Sequence, residues 1–353
     1  MKRFQKNQLV VALVLLVLVQ PVFGQVNDQV YLKSSPKEAI RGLIDDITST
    51  EVVLRANGNP RRLASNQISR IQFANAPADL LQAAAAYRRE QFNEAKAGLQ
   101  GINLDDVQDK WVKQEIAFML ASIDAKSALA GEGDKIAAGT LLVGFVENYA
   151  SSFHYYEAVE LIADLLYSVG NFKNSAEYYQ KLVDSPWDEM EMYGTLRLAH
   201  ATVGQGLFAD ALSQYDQVVG SNATTPEQRA IVAEAQAGRA RCLGETGKAA
   251  EGIAVVEKII ADNNPKTQKK LYAQAYNAQG VCYRKNNQNK DAILAFLHTH
   301  LIFNQDPDAH AESLYHLTQL WEEESKADRA SGTKTLLQQK YAGTFWENKL
   351  RNQ

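Results

Sequence analysis

The chain has 353 residues, 46% of them hydrophobic and 22% charged, with 37 basic and 41 acidic side chains giving a formal net charge of −4. That length is ample for a globular core, or for a solenoid that never builds one compact core. The mild acidity argues against nucleic acid as a partner, which requires a basic stripe.

The chain opens on a basic head, Lys2, Arg3 and Lys6, followed by an apolar run from Leu9 to Val19. Eleven apolar residues fall short of the roughly 20 that span a bilayer. With small residues at Val22-Phe23-Gly24, the segment reads as a secretory signal over 1–24, cut before Gln25. No Cys directly follows the apolar run to carry a lipid anchor. The expectation is export to the periplasm or the extracellular space, with no membrane span after cleavage.

Residues 26–75 have a different texture. Val30-Tyr31-Leu32, Ile40–Ile47, Glu51–Arg55, Arg61–Ala64 and Ile68–Phe73 are short β-branched runs, and Ala56-Asn57-Gly58-Asn59-Pro60 is a turn cluster. Alternation broken by Asn-Gly reads as hairpins. Four or five strands in 50 residues predict a small SH3-like or Sm-like β-barrel, too small to stand alone and so packed on the first helices.

Asn75-Ala76-Pro77 marks a change to helical periodicity. A pattern of small and aromatic residues then recurs, and such repeats mean stacked supersecondary units. Seven helix pairs are predicted. The first covers about 78–101, and the second has its helices near 111–128 and 134–149. The third runs over 153–184, ending at Ser185-Pro186, and the fourth over 189–219. The fifth opens at Thr225-Pro226-Glu227 and reaches Asn263-Asn264-Pro265. The sixth is 268–304, and the seventh starts at Ala309 and closes at Tyr341-Ala342-Gly343. Residues 347–353 read as a C-terminal tail. Small residues on the first helix of a pair (Ala199, Ala240, Gly280) let a neighbour approach. Alanines on the second (Ala211, Ala292, Ala330) do the same, and an aromatic (Tyr179, Tyr215, Phe296) fills the gap between pairs.

Ala275-Tyr276-Asn277-Ala278-Gln279-Gly280-Val281-Cys282-Tyr283 with Asp291-Ala292-Ile293-Leu294-Ala295-Phe296, and Gly206-Leu207-Phe208-Ala209-Asp210-Ala211-Leu212 with Tyr215, resemble the tetratricopeptide repeat. The likeness covers about 76–346 and is clearest in pairs three to six. The β-module in front of it is similar to that of some exported bacterial repeat proteins. The resemblance implies a mainly α fold, a right-handed α-solenoid of about seven helix pairs, and a concave binding face lined by the first helix of each pair. Carried over, that register puts Tyr193, Leu196, His200, Arg241, Asn277, Arg284, Tyr315 and Gln319 on the concave face as a surface for a peptide or helix of a partner. The asparagine, lysine and arginine pattern of carboxylate-clamp repeats is not recognisable.

No catalytic signature is present. Gly244-Glu245-Thr246-Gly247-Lys248 echoes a phosphate loop but lacks its spacing and the hydroxyl that should come next, and it falls at an inter-helix turn. His298, His300, His310 and His316 cluster in sequence, yet i and i+2 residues of a helix face apart, and no carboxylate or thiol set completes a metal site. Cys242 and Cys282 fall at equivalent places on adjacent pairs. That is about 8–10 Å apart, beyond the ~7 Å reach of a disulfide, so both read as free and buried.

The expected function is a non-enzymatic protein-interaction scaffold of the cell envelope, without cofactor or metal. The alternative is a structural or assembly subunit that binds through the β-module or the convex face.

Overall fold

The computed structural model describes residues 27–352. The segment on which the expected export signal rests lies outside the described residues. Five antiparallel strands come first: β1 (Asp28–Leu32), β2 (Ser35–Ile47), β3 (Glu51–Ala56), β4 (Asn59–Ala64) and β5 (Ile68–Gln72). Their order in the sheet is β4-β3-β2-β1-β5. β2 is long enough to serve two partners. Its first half pairs with β1 (Val30↔Ile40) and its second with β3 (Ile44↔Leu54).

Two local devices shape this module. Asn57 and Gly58 both have positive φ, 50° and 82°, the requirement of a tight hairpin turn between β3 and β4. Gly42 lies where β2 passes from β1 to β3, and a Cβ there would sit 2.4 Å from the Arg55 carbonyl oxygen. Asp28 ties this part of β2 to the module's exit, accepting from the Ile44 N–H at 2.9 Å and the Ala74 N–H at 2.8 Å. Among the described residues β4 and β5 are not hydrogen-bonded to each other, so the sheet is open rather than a closed barrel. The module does not stand alone: Val30, Val52 and Leu54 share one hydrophobic core with Leu80, Leu99, Val112 and Ile116 of the first helices.

The rest is helical. The pairs are α1 (Ala78–Arg88) with α2 (Phe92–Gln100), α3 (Lys110–Leu129) with α4 (Lys135–Asn148), and α5 (Tyr155–Ser168) with α6 (Phe172–Val183). Next come α7 (Asp188–Gly204) with α8 (Phe208–Val219), α9 (Pro226–Glu245) with α10 (Ala249–Asp262), α11 (Lys269–Lys285) with α12 (Asn289–Leu301), and α13 (Pro307–Glu323) with α14 (Ala327–Lys340). A short α15 (Phe345–Arg351) closes the described chain.

The boundaries obey ordinary capping rules. Pro226 and Pro307 occupy first-turn positions where no N–H is needed. Thr225 and Gln228 form a reciprocal capping box on α9, and Asp306 caps α13 through the Ala309 N–H at 2.8 Å.

Close packing between helices uses the small-and-aromatic pattern. Ala199, Ala211, Ala240, Ala292, Tyr179 and Phe296 are each completely buried. A Cβ on Gly280 would come within 2.7 Å of the Phe296 ring, and one on Gly238 within 2.3 Å of Tyr215, so these glycines admit the aromatics. Cys242 and Cys282 are free and buried, on α9 and α11, and the Cys282 thiol donates to the Ala240 carbonyl at 3.3 Å.

Candidate functional site

Helical spacing places polar residues in stripes along the first helix of successive pairs. Tyr193, Arg197 and His200 share a face of α7. Glu234, Gly238, Arg241 and Glu245 share one on α9, Lys270 and Gln274 one on α11, and Asp308, Glu312 and His316 one on α13. All of these line a single chamber of about 550 Å³ inside the solenoid. Its far wall is α15. Phe345 reaches back to the third pair, its ring 4.7 Å from that of Phe172 and tight against Gly170. The chain thereby closes on itself around the chamber.

The charges in the chamber are largely paired with each other. Arg241 is ion-paired with Glu312, whose other oxygen accepts from Asn277 Nδ2 at 3.0 Å. Arg197 meets Asp164 and the Tyr179 hydroxyl, and Lys270 meets Glu234 at 2.9 Å. Burial would raise the Glu312 carboxyl, but Arg241, His316 and Asn277 bring it down to about 2. The Arg241 guanidinium gains in the same exchange, held charged by Glu312 against its own burial.

Asp308 behaves in the opposite sense. Loss of bulk water, together with Asp306 and Glu312 nearby, pushes its carboxyl up to about 7, against an indole N–H donated by Trp346 at 3.0 Å. His200 and His316 are both held below the usual imidazole value, first by burial and then by the neighbouring arginines. Lys349, on α15, stands over the rings of Tyr315, Trp346 and Phe345 at 5.0, 5.1 and 5.4 Å.

Of the eight residues expected on the concave face, Tyr193, His200 and Arg241 line the chamber. Tyr193 donates to Glu160 at 2.6 Å. Leu196 is 1% exposed and packs behind the wall with Tyr215 and Val218. Asn277, also 1% exposed, is a buried bracket between the Ala309 carbonyl and Glu312. Tyr315 is buried against Trp346 at 5.3 Å. Arg284 and Gln319 bond each other at 2.7 Å, beside the chamber rather than on its lining.

Sequence reasoning passed over Arg197, Lys270, Asp308, Glu312, Trp346 and Lys349. A signal existed for some of them. Arg197 comes one turn after Tyr193, and Asp308, Glu312 and His316 recur every fourth residue, which is one stripe of a helix.

Among the described residues no group of His, Cys, Asp and Glu is arranged to hold a metal ion, and no helix is long and apolar enough to cross a membrane. His300 and His310 do meet, nitrogen to nitrogen at 2.8 Å, with His310 bonded onward to Tyr341 at 2.7 Å.

No family model matches the sequence, and no curated protein is similar to it in sequence. Solved structures are similar in shape. A tetratricopeptide repeat protein from Parabacteroides merdae is 11% identical with a TM-score of 0.57, covering 78% of this chain and 96% of that one. A Rap protein complexed with competence and sporulation factor is 16% identical, with a TM-score of 0.49 over 77% of each chain. NprR in complex with its cognate peptide NprX is 14% identical, with a TM-score of 0.48 over 78% of this chain and 80% of its own. The chain therefore has a tetratricopeptide-like helical-repeat fold, preceded by a small antiparallel sheet.

Proposed function

We infer that the protein is a non-enzymatic interaction scaffold of the cell envelope, and that it holds a short polypeptide segment of a partner inside the solenoid. The observation that carries this reading is the convergence of polar stripes from α7, α9, α11 and α13 on one chamber of about 550 Å³. That volume lies in the range of binding pockets. The lining mixes both charge signs with tyrosine and tryptophan, the residues that most often anchor protein contacts. A mixed-charge wall suits a peptide, which brings amides and side chains of either sign.

Two finer points belong to the same reading. On this reading the superhelix is right-handed and the module is an opened relative of an SH3-like or Sm-like barrel, which the long β2 serving both β1 and β3 supports. The basic and apolar N-terminal segment supports export, with the mature protein periplasmic or extracellular.

The test is capture of envelope proteins by the full chain. Lys270 of α11 lines the chamber and is open to its water, so Lys270→Ala changes its charge without emptying the core and without touching α15. The variant should keep its helicity and lose partners that the wild type captures reproducibly. Retention of all of them would overturn the reading.

A second reading has an observation of its own. Ile136, Leu294, Leu301 and Ile302 are 78, 58, 65 and 56% exposed. Large apolar side chains in water favour an assembly contact on the outer surface. Arginine at Leu301 and Ile302 would then abolish capture while the lysine variant would not.

A further inference from the structure

The C-terminal helix α15 is an unusual wall for the chamber. It has seven residues, too few to hold helical structure in water by themselves. Its N-cap residue Thr344 makes no side-chain cap bond. The link before it includes Gly343 at φ 73°, a conformation that leaves the direction of the helix to one permissive residue.

What holds α15 is its inward face. Trp346 is 6% exposed. Its indole N–H reaches Asp308 at 3.0 Å, and its ring lies 5.3 Å from Tyr315, with the Arg241 guanidinium 5.9 Å away. Phe345 docks on Phe172, and Lys349 lies one turn on, over the same aromatic cluster. The groove between the third and the seventh pairs is thus seen occupied, by a short helix bearing adjacent aromatics and a lysine.

We propose that α15 is a displaceable internal occupant of the partner site, and that the partner supplies a short helical segment of the same chemistry, an aromatic pair with a lysine one turn later, which takes its place. This rests on the reading of the chamber as the partner site. An internal occupant lowers the apparent affinity of an external one by the fraction of time it stays seated. The C-terminal helix would therefore set the threshold for binding. A partner that only filled the chamber would instead use Trp346 as part of its wall and would need α15 in place.

The two arrangements give opposite results with one probe, a synthetic peptide of residues 343–352 of this chain. Full-length protein carrying Phe345→Ala and Trp346→Ala should bind the peptide at least about tenfold more tightly than the wild type does. The same peptide with Trp346→Ala should not bind. Equal binding to variant and wild type, or none to a variant that keeps its helicity and melting temperature, would overturn the proposal.

If the double variant unfolds, hydrogen exchange on the wild type decides. Amides of α15 should exchange through a local opening, well before those of α13. Exchange of both together, only through global unfolding, would overturn the proposal too. That result would leave the chamber reading standing on the lysine variant described above.

Discussion

Arg241 on α9 is ion-paired with Glu312 on α13, across the intervening pair α11–α12 and 71 residues along the chain. Glu312 is 6% exposed, so its charge there depends on that partner. Arg241→Ala would leave a buried carboxylate without its cation, which typically costs about 3–5 kcal/mol. Adding Glu312→Gln should recover much of that loss. Urea unfolding of the two variants checks this, and additive losses would show that the pair is not coupled.

The same pair sets an acid limit. The Glu312 carboxyl stands at about 2 in the folded protein, below its unfolded value of 4.5. Its contribution is fully present above pH 4.5 and disappears as pH falls towards 2. Wild type should lose stability over that window, and Glu312→Gln should show a flatter acid limb in melting experiments.

A second titration acts from the alkaline side. His154 lies 2.9 Å from Glu115 and stacks on Phe118 at 3.8 Å. Burial alone would lower its imidazolium, but Glu115 and Glu157 raise it from 6.5 to about 9. A raised folded value means the contribution is complete below pH 6.5 and is lost as pH rises through 9. Melting temperature should fall across that range in wild type. His154→Gln should remove most of the slope, with a stability loss at pH 6 on the order of 3 kcal/mol.

The repeat packing makes its own prediction. Ala292 is completely buried in a core with Phe296 and Leu317. Ala292→Trp should destabilise by about 1–3 kcal/mol, measured by denaturant unfolding at constant helicity. Full tolerance would mean that the helix faces are misassigned.

The cysteines give a chemical check. Burial raises the Cys242 and Cys282 thiols to about 12 and about 11. Both should be inert to thiol reagents in the native protein, and two thiols should titrate once it is denatured without reductant. A single disulfide would contradict the packing of α9 on α11.

The repeats were legible because each depends on local spacing. Small residues at Ala199, Ala240 and Gly280 and aromatics at Tyr179, Tyr215 and Phe296 carry the pattern in the sequence, and the structure buries all of them. The five strands were legible for the same reason, with Asn57-Gly58 marking the hairpin. Closure of the sheet was not, since it depends on whether β4 meets β5, a long-range pairing that no turn signal reports. Nor was the seat of α15. Residues 347–353 carry too short a pattern to show a helix, and nothing local joins Phe345 to Phe172. On α7 the helical register could not separate His200, which lines the chamber, from Leu196, four positions earlier, which faces the core.

The central claim, that partners enter the solenoid, is tested most directly by site-specific photo-crosslinking in the cell envelope. A photoreactive residue at His200 lies in the chamber wall, and one at Leu301 lies on an exposed outer position. Position 200 should give a partner adduct and position 301 none. Adducts from 301, with position 200 silent in protein of unchanged helicity, would contradict it.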